Sequence, residues 1–127
     1  MTYLATSINE SPVISEKAAA TIADVRGKAV KFSDGKIAIA GAGEAVLGVG
    51  IMTNDVNIAA DADVDIQIKD IGLVYAGGEI AKGAELASNA SGAFVTAAEG
   101  NYVAAIALES ATAAGTYIKA RLVNYKK

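Results

Sequence analysis

The sequence predicts an all-β domain, a sandwich or barrel of short strands in two similar halves, and three observations carry that prediction. From Lys28 onward, apolar runs of four to eight residues are separated by Gly, Asp, Asn and Ser, so the chain must reverse every several residues. The reversals fall at "SDG" (33–35), "AGAG" (40–43), "AGG" (76–78), "SNASG" (88–92) and "AEGN" (98–101). Residues 34–51, "DGKIAIAGAGEAVLGVGI", echo residues 91–108, "SGAFVTAAEGNYVAAIAL", at a constant offset of about 57. The apolar content is mostly Ala, Val, Ile and Leu, with no Trp and two Phe, Phe32 and Phe94, so the core is built from small branched side chains.

Residues 1–14 hold Ser, Asn, Thr and the only proline, Pro12, without sustained periodicity, and are expected to form an extended N-terminal arm. Residues 15–127 are expected to form a single β-rich domain, long enough to bury one modest core without disulfides. Its opening, "SEKAAATIADVRG" (15–27), fits either a short helical turn, capped by Ser15 and favoured by the alanines, or a loop. Strands follow at "AVKF" (29–32), "KIAIA" (36–40), "AVLGVGI" (45–51), "VDIQIKDI" (64–71), "LVYA" (73–76), "AFVTA" (93–97), "VAAIALE" (103–109) and "TYIKARLV" (116–123). In the echo, Gly35 matches Gly92 and Gly43 matches Gly100, while "GKAVKF" (27–32) matches "GAELAS" (83–88) and "VDIQIK" (64–69) loosely matches "YIKARL" (117–122). Each half is expected to hold a strand, a turn, a strand, a turn and a strand, then a longer return and one more strand.

Composition narrows the chemistry. There is no Cys, which removes disulfides and thiolate metal sites, and no His, which removes the commonest general base and metal ligand. Carboxylates, Lys and Tyr remain for acid or base work, but none stands at a spacing that gathers a catalytic set, so no enzyme activity and no cofactor are expected. The net charge of −3 offers little attraction to phosphate or anionic lipid, and no basic cluster precedes Lys119, Arg121, Lys126 and Lys127. Neither nucleic acid nor a membrane is an expected partner. The opening "MTYLATSINESP" has no cationic, apolar leader pattern, and no apolar run approaches the roughly 18 residues of a spanning helix, so synthesis in the cytoplasm is expected.

Three motifs invite a functional reading. "KIAIAGAGEAVLGVGI" (36–51) resembles a strand and glycine loop of a dinucleotide site, but the third glycine of G-x-G-x-x-G is Val46, and Gly48 and Gly50 each cost a following helix about 1 kcal/mol. A turn between strands fits better, with Gly41 and Gly43 supplying positive φ. "DADVD" places Asp61, Asp63 and Asp65 at the spacing that opens a calcium loop, yet the sixth position is Ile66 and the twelfth is Gly72, so no metal is expected and the acids should share one wetted strand face. "GLVYAGGEIAKGAELA" (72–87) resembles the hairpin of biotinyl and lipoyl carrier domains, but the following turn, "SNASG", has no lysine; a carrier or ligand-binding β-domain is the alternative reading, with Lys82 the nearest acceptor.

Taken together, "AVKFSDGKIAIAGAGEAVLGVG", a variable acidic link, and "VDIQIKDIGLVYAGGEIAKGAELASNASGAFVTAAEGNYVAAIALESATAAGTYIKARLV" resemble the small capsid decoration, or cement, proteins of tailed bacteriophages and prophages. The resemblance covers roughly residues 18–124. It implies a non-enzymatic structural protein with a compact β-barrel or β-tulip fold, placed on the outer surface of the virion head, which it stiffens against internal DNA pressure. The implied partners are the phage major capsid protein and neighbouring copies of itself, as in a homotrimer. On this reading the arm, through Thr2, Tyr3, Leu4, Ile8, Pro12, Val13 and Ile14, is the expected capsid contact, extended along the shell or a neighbouring copy and adding a strand to an exposed edge.

Overall fold

A computed structural model describes residues 11–127. Its strands are β1 (Val13–Lys17), β2 (Ala29–Ser33), β3 (Lys36–Ile39), β4 (Gly48–Gly50), β5 (Asp63–Gln67), β6 (Ile71–Tyr75), β7 (Glu85–Ser88), β8 (Phe94–Thr96), β9 (Tyr102–Ala107) and β10 (Tyr117–Lys126). They form two five-stranded antiparallel sheets, ordered β1-β5-β4-β2-β3 and β6-β10-β9-β7-β8. The second order is the first with every strand replaced by its counterpart five places on.

Register makes the repeat residue-specific. Val30 faces Gly48 and Ile39 in the first sheet, as Leu86 faces Ala105 and Thr96 in the second. Even the isolated bridges recur: Ala18–Ile37 as Ala76–Phe94, and Ile22–Ile58 as Ile80–Ala111. The bridge at Ala18 draws the outer strands β1 and β3 together at one point, so each sheet curls without becoming a closed barrel. The all-β class and the two halves stand; the barrel does not, because the ten strands divide between two sheets.

Several local expectations change. Each half has five strands because β1 and β6 are counterparts. Ser15 lies in the middle of β1, opposite Asp65, where it caps no helix. In "VISEK" only Ile14 is a strong inward signal, and so short and polar a strand is recognisable only through its partner β5. The expected strand 64–71 is instead two strands, broken at 68–70, where Asp70 takes a φ of 70°. That break is the joint between the halves. Beyond it Val64 corresponds to Ile118, a one-residue shift from the sequence match, which in a strand exchanges the two faces.

Each sheet buries one face around equivalent side chains. Ala18, Ile22, Val30, Ile37, Ile58, Val64 and Ile66 form the first core, and Ala76, Ile80, Leu86, Phe94, Ala111, Ile118 and Ala120 occupy the same positions in the second. Ala29, Ala40, Val46 and Val49 of the first half join the second core, so the halves pack together as well as follow one another. Phe94 is fully buried at the position of Ile37, and its truncation to Ala should cost about 3–5 kcal/mol.

β4 shows why glycine interrupts an otherwise apolar strand. A β-carbon on Gly50 would collide with the carbonyl oxygen of Val25, and one on Gly48 with that of Gln67. Both obstacles are backbone and cannot swing aside. We therefore expect Gly50→Ala to lower the unfolding free energy by about 1–3 kcal/mol in urea titration. Gly78→Ala, where a β-carbon meets nothing within 4 Å, should stay within about 0.5 kcal/mol of the parent.

Candidate docking surface

The glycine turn is a structural joint. Gly41 donates its N–H to Glu44 Oε1 at 2.5 Å, Glu44 also receives Lys31 Nζ at 2.8 Å, and the Gly43 N–H goes to the Ser88 carbonyl at 2.9 Å. The donors a phosphate would need are thus already used inside the protein. The second half repeats the device, with Ala98 N–H donating to Asn101 Oδ1 at 2.9 Å. Gly43 has the expected positive φ, 67°, and its counterpart Gly100 has a φ of 88°. Gly41 has no positive φ; its constraint is Glu44 Oε1, which a β-carbon there would meet at 2.7 Å. The two equivalent turns also touch, since Tyr102 N–H donates to the Gly43 carbonyl at 3.1 Å.

The acidic triplet lies on and just before β5, beside the edge strand β1. Lys17 pairs with Asp63 at 2.8 Å, Ser15 Oγ donates to Asp65 at 2.5 Å, and Lys36 pairs with Asp61 at 2.5 Å. Asp63 and Asp65 share the outward face of β5, as the alternation predicts. Among the described residues no group of three or more Asp or Glu could hold a metal ion. The carrier-like segment 72–87 is not a hairpin: β6 pairs with β10, and β7 with β8 and β9. Its glycine pattern reflects two separate turns, and in the turn 88–92 Asn89 Oδ1 accepts the N–H groups of Ser91 and Ala93.

Of the expected contact residues, Thr2, Tyr3, Leu4 and Ile8 lie outside the described residues. The Pro12 carbonyl accepts the Ile68 N–H at 2.8 Å, and Val13 and Ile14 pair in register with Gln67 and Ile66. These three hold the end of the arm to the edge of the first sheet.

One exposed surface was not anticipated from the sequence. β6 is the edge strand of the second sheet and presents Ile71 and Leu73 outward, 59% and 41% exposed. Directly opposite on β10 stand Arg121 and Lys119. "IGLVY" is apolar at outward and inward positions alike, and only the register with β10 shows which apolar residues stay in water. Tyr75 and Tyr117 continue the row as an edge-to-face pair, with centroids 5.2 Å apart.

Neither a protein-family model nor a curated protein matches the sequence. The fold, however, is similar to a solved structure, the N base of the head fiber gp8.5 of bacteriophage phi29. The TM-score is 0.66 at 18% sequence identity, over 91% of this chain and 96% of that one. At that identity the likeness establishes a shared all-β architecture across nearly the whole chain.

Several surface carboxyls are held more acidic than usual. Hydrogen bonds from Lys31 and Gly41 do this for Glu44, Arg26 for Asp24, Lys36 for Asp61, and Tyr125 and Lys127 for Glu85. Each therefore binds protons less readily when folded than when unfolded. Their contribution to stability is present above the ordinary carboxylate range of about 4 and is lost as pH falls through the depressed folded values. Glu44 and Asp61 are exposed and Asp24 and Glu85 partly so, and solvent screening keeps each contribution small. Glu44→Gln should lower the urea midpoint near neutral pH and lessen its fall on acidification below about pH 4. An unchanged acid limb would show that the Lys31–Glu44–Gly41 bonds do not persist in solution.

Proposed function

We propose that this protein is a structural component of a bacteriophage head, one that binds the outer surface of the shell and stiffens it, and that it is neither an enzyme nor a carrier domain. The fold likeness to the phi29 head fiber base carries this reading, because it extends over 91% of this chain and 96% of that one. The resemblance of residues 18–124 to capsid decoration proteins supports the same conclusion from the sequence. Two rigid sheets of short strands suit a module whose product is a contact surface.

The arm is the proposed contact with the major capsid protein. Pro12, Val13 and Ile14 secure its end to the edge of the first sheet, leaving Thr2, Tyr3, Leu4 and Ile8 to meet the shell or a neighbouring copy. A head surface repeats the same site many times, so modest affinity per site can still give full occupancy when neighbouring copies touch.

Co-sedimentation with expanded, undecorated heads, with unexpanded proheads for comparison, tests the proposal. Saturable binding to expanded heads is expected, and a chain lacking residues 1–10 should stay folded but fail to bind. No binding of the full chain to heads of its own phage would overturn the assignment. Undiminished binding of the shortened chain would overturn the role of the arm.

A further inference from the structure

The repeat supplies an internal control for the place where the arm enters the fold. The pair Val13–Gln67 in the first half corresponds to Ile71–Arg121 in the second, so Pro12 corresponds to Asp70 and Ile68 to Leu122. The backbone agrees: the Ile68 N–H donates to the Pro12 carbonyl at 2.8 Å, and the Leu122 N–H to the Asp70 carbonyl at 2.8 Å. The chain bends at Pro12 and again at Asp70. In the second half the residues ahead of the bend are used, because Ile68, two positions before Asp70, lines a cleft together with Leu122. In the first half only Ser11 precedes Pro12 among the described residues. Ile68, the counterpart of Leu122, stays 37% exposed, whereas Leu122 packs against the second core.

The cleft has room for a side chain. Its volume is about 210 Å³, below the range of about 300–1,000 Å³ usual for small-molecule sites. Leu47, Ile68, Leu122 and Val123 give it an aliphatic wall, and none of its described lining residues is charged. Leu47, Leu122 and Val123 each pack against a different buried cluster, so the wall belongs to the packed interior. The first apolar side chain upstream of Pro12 is Ile8, and the four residues between them span about 13 Å when extended. The arm therefore leaves the described fold beside an apolar cleft, with an aliphatic side chain in reach of it.

We infer that in the free protein the arm folds back on its own molecule and Ile8 fills the cleft between Ile68 and Leu122. Removing Ile8 and Ile68 from water supplies the attraction. This goes beyond the proposed contact with the shell: one side chain cannot occupy both sites, so the cleft and a head compete for Ile8. The docking itself concerns the free protein and is tested without a head.

The natural absence of cysteine makes disulfide trapping in the full chain the test. Ile8→Cys is paired with Asn124→Cys, an exposed position on the rim of the cleft, and, as a control, with Val56→Cys, an exposed position outside its lining. In dilute, mildly oxidising solution the first pair should close to a monomeric disulfide at least about tenfold faster than the control, because docking raises the effective concentration of the two thiols. Ile8→Ser in the otherwise unaltered chain should shift the methyl NMR signals of Ile68, Leu122 and Val123 and leave those of Ile37 and Ile80, buried in the two cores, unmoved. Circular dichroism identifies any variant that has lost its fold, and if Asn124→Cys is one, Ile68→Cys replaces it. Equal closure rates for the two pairs overturn the inference, as does a disulfide formed mainly between two chains, or cleft methyl signals indifferent to the loss of Ile8.

Discussion

The two halves are joined backbone to backbone, and the molecule depends on how closely those backbones approach. Tyr75 N–H donates to the Gly27 carbonyl at 2.8 Å, Ala29 N–H to Gly92 at 2.8 Å, and Gly43 N–H to Ser88 at 2.9 Å. A β-carbon on Gly27 would lie 2.9 Å from the Tyr75 nitrogen, and one on Gly92 would lie 3.1 Å from the Ala29 oxygen. Side chains at these points would hold the sheets apart and leave buried peptide groups without partners, each costing about 1–3 kcal/mol. Ser88, buried between the halves, shows the same economy: its hydroxyl is shared between the Asn89 and Ala40 carbonyls at 2.9 and 3.3 Å.

With the joint made, the halves are free to differ where they do not touch. Their inward positions retain the same kinds of residue in the same register, because each sheet must fill an equivalent core from aliphatic side chains. Their outward positions have diverged completely along β1–β5 and β6–β10. One row is polar and self-paired, while the other is aliphatic, aromatic and cationic. An inward change opens or overfills a core close-packed like a crystal, whereas an outward change is tolerated at a few tenths of a kcal/mol unless something binds there. The difference between the rows is therefore where function can be sought in a molecule whose two halves otherwise do the same structural work.

Much of the fold was legible because it depends on local signals. Gly35, Gly43, Gly92 and Gly100 all adopt the positive φ that their turns require, and the match of 34–51 to 91–108 holds in the strand register. Reading "LGVGI" as strand rather than helix was correct for the same reason, since two glycines in five residues suit a closely approached strand and weaken a helix. The outward faces were far less legible, since exposed Ile71 and Leu73 look like core in the sequence. Alternation sorts residues onto two faces but does not say which face another element covers.

The sequence by itself determined the class, the turns and the duplication, because turn chemistry and a period of two act between near neighbours. Tertiary structure alone decided that β1 is a strand, that the chain breaks at 68–70, and that ten strands form two sheets instead of one barrel. Those outcomes rest on pairings between residues such as Ser15 and Asp65, fifty positions apart, whose free energy exists only once both strands are in place. The match of 64–69 with 117–122 shows the limit most clearly. An error of one residue leaves the pattern almost unchanged along the chain, yet in space it moves every side chain of the strand to the opposite face.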